Sequence, residues 1–255
     1  MASRKEEKER LRAQRLAAEH AATGSEKRRL YIGYAIAGLL AAAVLAGLVI
    51  VITSSGNSSG GANGFDACSN GHFQLAAGTP PPGAKPDCRV GTTPAAIKIG
   101  NLAASAKAAG CELKLNLPDE GNSHIQASDP EPNYKTNPPT SGNHITAPLQ
   151  APDGAYSQPI DPRYTVHSME HGRVEYQYNP SLPQDQQLAI KGIFDEDPDG
   201  TLLFPNASMP YAVAATAWTQ LVGCPKYTPA VLDVLRNFRD TYRGNGPEQQ
   251  VPISL

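Results

Sequence analysis

An uninterrupted apolar run near the N-terminus most constrains the architecture of this 255-residue chain. Tyr31 to Thr53 holds 23 consecutive residues without a charged side chain. As an α-helix, such a run crosses the ~30 Å hydrocarbon core of a bilayer. It exceeds the roughly 7–15 apolar residues of a cleaved signal peptide, and no A-x-A-like cleavage site follows before Ser54. The sequence therefore predicts a single retained transmembrane helix over residues 31–53.

The charges that flank this run predict its orientation. Residues 1–30 carry nine Lys and Arg against five Glu, a net charge of +4, and end in a basic cluster beside the run. The positive-inside rule places such a tail in the cytoplasm. Because the whole chain carries −2, the remainder carries about −6 (−2 minus +4), which argues against nucleic acid as a partner. We expect a single-pass protein of the cell membrane with an extracytoplasmic C-terminal domain.

Two segments after the predicted membrane helix lack the composition of a core. Residues 54–64, SSGNSSGGANG, are typical of a flexible linker. Residues 65–109 are rich in Gly and Pro, and the stretch GTPPPGAKPDC is too dense in proline for regular structure. We therefore expect a disulfide-pinned lead-in at 65–109.

The four cysteines all follow the predicted membrane helix. An even number of cysteines on the oxidising side of a membrane indicates disulfides. We expect Cys68 to pair with Cys88, and Cys111 to pair with Cys224. No C-x-x-C pair occurs, so neither a thioredoxin-like redox motif nor a zinc ribbon is indicated.

Residues 110–248 carry clear strand and helix patterns. RVEYQY alternates apolar and polar residues, which predicts a half-buried strand. PQDQQLAIKGIF predicts a helix, and TLLF and YAVAATAW predict short strands. A last helix is predicted to begin with Thr228 as N-cap and Pro229 as its first residue, and to end before Gly244. This order indicates a compact α+β domain with a small mixed sheet.

Histidines are the residues best suited to carry chemistry in this domain. Four of the six histidines lie between positions 124 and 171. The stretch NPPTSGNH ends at His144, and its two prolines and its glycine would present the imidazole at a defined place. The alternative is a turn whose prolines serve rigidity alone.

The stretch HSMEH, His167 to His171, matches the H-x-x-E-H pattern of inverted zinc peptidases. In that pattern two histidines one helical turn apart bind zinc, and the glutamate between them activates water. Glu248 lies 77 positions after His171 (248 minus 171), close to where such peptidases keep a third ligand. This interpretation requires a helix at HSMEH.

A strand is the other interpretation of the same residues, and the following sequence favours it. Gly172 comes directly after HSMEH, and the run that follows has a period of two. A strand would place His167, Met169 and His171 on one face and Glu170 on the other. Residues 166–172 are therefore predicted to be extended or loop-like.

On this interpretation the histidines form a metal centre. We expect four imidazoles to converge on one Zn(II) or Cu(II): those of His124, His144, His167 and His171. Glu170, Met169 and Tyr176 are expected to support the ligands or the fold around them. Without a nucleophile–base pair or paired carboxylates, a non-enzymatic role in metal handling or in an envelope protein complex is preferred. A membrane-tethered metallopeptidase and a metal-free envelope interaction module, in which the histidines only brace the fold, are the alternatives.

Two of these segments resemble the signatures of a bacterial family. NPPTSGNH and VHSMEHG are similar to the Pro-Pro-Thr-Ser-Gly-x-His and His-x-x-Glu-His-Gly segments of the family known as domain of unknown function 3105. The likeness extends over about residues 110–248. It implies an N-terminal membrane anchor, which family members often have, and a histidine upstream of the first segment at the position of His124. It implies no activity, because none is assigned to the family.

Overall fold

The computed structural model of the protein describes residues 81–146 and 149–248. The helices in these residues are α1 (Leu102–Ala109), α2 (Pro162–Glu170), α3 (Gln184–Glu196) and α4 (Val231–Tyr242). The strands are β1 (Glu112–Lys114), β2 (His124–Ile125), β3 (His144–Ile145), β4 (Gly154–Ala155), β5 (Val174–Tyr178), β6 (Thr201–Pro205), β7 (Val213–Ala217) and β8 (Gln220–Cys224). The predicted tail, membrane helix and linker, residues 1–64, lie outside the described residues. Within the described ranges, no helix is long and apolar enough to cross a bilayer.

A mixed six-stranded sheet forms the centre of the domain, so the predicted α+β class is confirmed. Its strand order is β1-β8-β7-β5-β6-β4. Strand β5 pairs in parallel with β6 and antiparallel with β7. The sequence predicted a half-buried strand here, but all five residues of β5 are buried. The predicted strand is confirmed, but its predicted half burial is wrong because β5 is an inner strand of the sheet, and side chains pack against both of its faces.

The main core lies on one face of this sheet. Apolar residues of α1, α3 and α4 pack there against alternate strand residues such as Tyr176 and Val222. The opposite face carries Leu202 and Phe204, which pack with Tyr164 of α2. Helix α2 therefore lies on the opposite side of the sheet from the main core.

The predicted lead-in contains regular structure that the sequence analysis did not expect. Helix α1 begins after Asn101, whose side chain accepts a hydrogen bond from Ala104 N, and ends at Gly110 with φ 71°. Its residues Ala106 and Ala109 belong to the main core. The packed domain therefore begins before residue 110. The N-cap and the C-terminal glycine define the ends of this short helix, and its packing against the core stabilises it.

The predicted last helix exists, but it begins later than expected. Ala230 is the N-cap of α4, and Thr228 Oγ1 is buried without a hydrogen-bond partner among the described residues. Val231 N instead donates to the carbonyl of Thr228 (2.9 Å), so a tight turn precedes the first helical residue. The helix ends at Tyr242, before Gly244, as predicted.

One predicted disulfide is confirmed. Cys111 is bonded to Cys224, which links the end of α1 to the end of β8. Cys88 is also disulfide-bonded, and its predicted partner, Cys68, lies outside the described residues.

Candidate metal centre

Helix α2 contains His167 to Glu170 and has His171 as its C-cap, so the prediction that residues 166–172 are extended or loop-like is wrong for the helical residues. Asp161 caps this helix by accepting a hydrogen bond from Arg163 N (2.9 Å), and Pro162 is its first residue. The helix ends at Glu170, and Gly172 follows with φ 84°. Gly172 therefore terminates a helix, and the period-two run after it is a separate strand. The Asp-Pro pair was the sequence signal that could have revealed the helix.

The helix brings different side chains together than a strand would. At 3.6 residues per turn, His167, Glu170 and His171 share one face. Met169 points elsewhere and packs with Val166 in a small apolar cluster. The faces predicted for Met169 and Glu170 are thus exchanged, and Glu170 lies beside the histidines.

The other two histidines are held side by side by strands β2 and β3. These strands pair in parallel with His124 opposite His144. The turn before His144 is fixed by the Tyr134 hydroxyl, which donates to the carbonyl of Asn143 (2.8 Å). As the sequence predicted, the NPPTSGNH stretch presents the imidazole of His144 in a defined place, where it is fully buried.

The rings of the four predicted histidines lie close together. The centroid of the His144 ring is 4.9 Å from that of His124 and 5.0 Å from that of His167. His124 and His167 are separated by 5.3 Å, and His167 and His171 by 4.9 Å. The cluster therefore gathers side chains from three separate segments of the chain.

One donor atom from each of four residues converges within 4.8 Å, the spacing of a metal site. These residues are His124, His144, His167 and Glu170. A second such group consists of Glu170, His171 and Glu248. The structure therefore contains a His/Glu cluster that could hold a metal ion. It differs from the predicted ligand set, since Glu170 joins the first three imidazoles and His171 belongs to the second group.

A hydrogen bond to the backbone fixes which ring nitrogen of His144 carries a proton. Its Nδ1 lies 2.8 Å from the carbonyl oxygen of Gly142, which can only accept, so Nδ1 carries a proton. Its Nε2 lies 2.9 Å from Glu170 Oε2, and His124 Nε2 lies 3.6 Å from the same oxygen. With Nδ1 protonated, a neutral His144 directs the Nε2 lone pair at a carboxylate. That contact is favourable only with a proton or a metal ion between the two atoms.

Two buried polar atoms of the cluster have no hydrogen-bond partner within the described residues. They are His167 Nδ1 and Glu170 Oε1. Leaving such an atom unpartnered costs about 1–3 kcal/mol, more if it is charged. Burial, and then the neighbouring His144, His171 and His124, lowers the pKa of His167 to about 3. His167 is therefore neutral at physiological pH, which is the form that binds metals.

The second donor group is built where the chain passes the end of helix α2. Glu248 N donates to the carbonyl of Glu170 (2.9 Å), and His171 Nδ1 donates to the carbonyl of Glu248 (2.9 Å). Gly246 permits this close approach, because a Cβ there would lie 2.2 Å from the Glu170 carbonyl oxygen. The backbone of the 244–248 segment thus holds Glu248 at the end of the helix.

Two of the predicted supporting residues, Tyr176 and Met169, pack in separate apolar clusters. Tyr176 faces the main core, and its hydroxyl donates to the carbonyl of Leu235 (3.2 Å). The structure therefore does not bring Tyr176 to the histidines. Trp218, which was not predicted from the sequence, packs with Met169, and its ring lies 6.2 Å from that of His144. No sequence signal marked Trp218, which belongs to the turn between β7 and β8.

The zinc-peptidase pattern is only partly reproduced. HSMEH is on a helix, and Glu248 lies next to His171. However, neither donor group of the described residues contains both His167 and His171. Glu170, the general base of that pattern, instead lies among the imidazoles of the first group.

Comparison with known proteins identifies the family of the chain. A sequence model of the family described as "Protein of unknown function (DUF3105)" matches residues 125–254, just over half of the 255 residues. The chain therefore belongs to this family, as its two signature segments indicated. The match begins one residue after His124 and includes the other five residues of the two donor groups. No curated protein and no solved structure matches the chain.

Proposed function

We propose that this member of the DUF3105 family is a membrane-tethered, extracytoplasmic domain that binds a transition metal ion, Zn(II) or Cu(II). The residues that would hold the ion are His124, His144, His167 and Glu170. Three imidazoles with one carboxylate suit either metal. We refer to this group as the first centre.

The observation that carries the proposal is the contact between His144 Nε2 and Glu170 Oε2. Because Nδ1 of the same ring donates to the Gly142 carbonyl, the 2.9 Å contact needs an additional positive charge. A metal ion would supply that charge and would also meet the lone pairs of the neighbouring donors. The unpartnered His167 Nδ1 lends further support, since it is buried.

The competing account has a proton instead of a metal. The proton would lie between His144 Nε2 and Glu170 Oε2, on either the imidazole or the carboxyl group, and the other histidines would only brace the fold. Metal content separates the two accounts directly.

Metal analysis of the full-length chain tests the proposal. The protein, purified without a polyhistidine tag and stripped with a chelator, should rebind zinc or copper stoichiometrically. The His144→Ala, His167→Ala double variant should lose the ion from the first centre, whereas His20→Ala, in the predicted cytoplasmic tail, should retain the wild-type content. A wild-type chain that stays metal-free after loading with both ions would favour the proton-based network.

A role in metal handling fits the accessibility of the first centre. His144, His167 and Glu170 are almost completely buried, whereas 39% of the His124 side chain is exposed. An ion could therefore enter or leave on the His124 side without unfolding the domain. An envelope protein that delivers or receives the ion is the partner that this role implies.

The membrane tether is proposed from the sequence of residues 1–53. The uncharged run at 31–53 and the basic tail before it predict an N-terminus in the cytoplasm. Protease added to intact spheroplasts should remove residues after the linker and leave the tail protected. Full protection of the C-terminus would contradict this topology.

A second candidate function is a metallopeptidase, because helix α2 carries the H-x-x-E-H residues with Glu248 nearby. Its test is hydrolysis of a protein substrate by the zinc-loaded full-length chain. Hydrolysis that disappears in Glu170→Gln, while zinc content is retained, would favour the peptidase over the binding role.

A further inference from the structure

We propose that the centre is dinuclear, with a second divalent cation bound by Glu170, His171 and Glu248 and with Glu170 bridging the two ions. This inference rests on the proposed function, because Glu170 also belongs to the first centre. It goes beyond that function by adding a second ion and by assigning ligand roles to His171 and Glu248. We refer to this group as the second centre.

Glu170 is the residue shared by the two donor groups. Its Oε2 lies 2.9 Å from His144 Nε2 and 3.6 Å from His124 Nε2, so this oxygen serves the first centre. Its Oε1 has no hydrogen-bond partner in the described part of the chain, although the residue has no solvent exposure. One carboxylate oxygen therefore remains for a second positive charge, and a bridging carboxylate uses both oxygens.

His171 is oriented as a ligand would be. Its Nδ1 donates to the carbonyl of Glu248, which leaves the lone pair on Nε2. A backbone carbonyl that accepts from the second ring nitrogen is the common way in which proteins fix the tautomer of a metal-bound histidine. His171 is only 7% exposed, so its ring has little freedom to turn.

Glu248 is delivered by backbone contacts that do not depend on its side chain. Its amide donates to the carbonyl of Glu170, and Gly244 N donates to the carbonyl of Gly172 (2.8 Å). The two segments are so close that a Cβ at Gly246 would lie 2.3 Å from Gly172 N. The carboxylate is thus free to bind a cation, while the segment that carries it stays in place.

The charges of this region favour a cation. The second centre combines two carboxyl groups with one imidazole, at the end of α2 where backbone carbonyls carry partial negative charge. Arg173 is a cationic residue close to this region, and its Nε lies 3.0 Å from Asp153 Oδ1. Arg173 also donates to the His171 carbonyl (3.2 Å).

The ligand types indicate which ions the two centres would take. The first centre is rich in nitrogen, whereas the second has two oxygen donors and one nitrogen donor. Zn(II) suits both sets, and the second is also suited to a harder ion such as Mn(II). Since both ions share Glu170 and repel each other, the second should bind more weakly than the first.

Metal stoichiometry of the full-length chain tests the inference, with Zn(II) as the first probe and Cu(II) as the second. The stripped wild-type protein should bind two equivalents in separable steps. Glu248→Gln should bind one equivalent, with the second weakened by at least about tenfold. Glu112 is an exposed glutamate on β1, so Glu112→Gln is the matched control and should bind two equivalents of zinc. With Cu(II), the wild type should give a spin-coupled paramagnetic resonance spectrum that Glu248→Gln lacks.

The outcomes separate this inference from the proposed function. One equivalent in the wild type would overturn the dinuclear centre and leave the first centre intact. No binding at all would overturn both. Two equivalents in both the wild type and Glu248→Gln would overturn the assignment of the second centre. His171→Gln provides an independent variant and should also bind one equivalent, with circular dichroism as the check that both variants fold.

Discussion

Glu170 has a buried carboxylate with two oxygens in different surroundings. Oε2 faces His144 and His124, and Oε1 faces no donor of the described residues. Burying an ionised carboxylate is costly unless an opposite charge compensates for it. In both the proposed function and the further inference, metal ions provide this compensation. The chemistry of the site therefore depends on Glu170 more than on any single histidine.

Replacing Glu170 by glutamine tests this dependence. The substitution preserves the size of the side chain and removes its negative charge, so we expect metal affinity to fall by about tenfold to a hundredfold. Competition with a chromogenic chelator measures the change. Glu112→Gln should leave the affinity at the wild-type value, and an unchanged affinity in Glu170→Gln would contradict a ligand role.

Glu175 is a second buried glutamate, and it titrates for a different reason. Complete burial raises its pKa from 4.5 to about 7, although hydrogen bonds from Thr165, Gln177 and Thr216 oppose this shift. The folded protein therefore binds a proton at Glu175 that the unfolded chain releases near pH 4.5. Stability from this group is present at low pH and decreases as the pH rises through about 7.

Glu175→Gln should remove this pH dependence. Glutamine mimics the protonated carboxyl group, so the variant should match the wild type near pH 5 and exceed it well above pH 7. A pKa change from 4.5 to about 7 corresponds to at most roughly 3 kcal/mol of unfolding free energy. Urea denaturation at pH 5 and pH 8.5 measures the effect. Parallel pH profiles for the two proteins would contradict a buried, protonated Glu175.

At the scale of elements, the backbone crossing between the end of α2 and residues 244–248 positions the second centre. A Cβ at Gly246 would lie 2.2 Å from the carbonyl oxygen of Glu170, which is backbone and cannot rotate away. Gly246→Ala should therefore destabilise the domain by about 1–3 kcal/mol and displace Glu248. Chemical denaturation and zinc stoichiometry measure the two effects.

Gly100→Ala is the matched control for this substitution. No atom lies within 4 Å of a Cβ at Gly100, so we expect stability and zinc binding close to the wild type. If Gly246→Ala behaved like this control, the crossing would not position Glu248.

The elements also show how far local sequence patterns can predict the fold. Strands β5, β6 and β7 and helices α3 and α4 lie where their sequence patterns predicted them, although β5 is buried on both faces and not on one. Strand β8, in QLVGC, was not predicted, since it is defined by its pairing with β7 and β1. Helix α2 was predicted as extended because the period-two pattern of the strand after Gly172 was extrapolated to the residues before this glycine.

The site shows a similar division between what could and could not be predicted. The four histidines were expected to cluster, but the expectation placed His167 and His171 on one face of a strand, whereas a helix brings their rings together. The roles of Glu170 and Glu248 as donors depend on the helix and on a crossing between segments about 77 residues apart (248 minus 171). Such a crossing leaves no local pattern, so only the fold could reveal it.

At the scale of the whole molecule, the donors come from β2, β3, α2 and the segment after α4. The site therefore exists only when the domain is folded, and metal binding should stabilise the fold. The disulfide between Cys111 and Cys224 joins the neighbouring strands β1 and β8 and closes a loop that contains most of the sequence of this domain. Its effect on stability should exceed that of any short-range contact.

Removing this disulfide is a whole-molecule test. The bond closes a loop with a sequence separation of 113 residues. In the chain-entropy treatment, a loop of this length contributes on the order of 4–5 kcal/mol. Cys111→Ala, Cys224→Ala should lower the free energy of unfolding by about this amount, as measured by urea denaturation of the full-length chain. The Cys68→Ala, Cys88→Ala variant is the control, with a smaller expected loss of about 3 kcal/mol because the predicted loop is short. Equal losses in the two variants would mean that loop length does not govern the stabilisation.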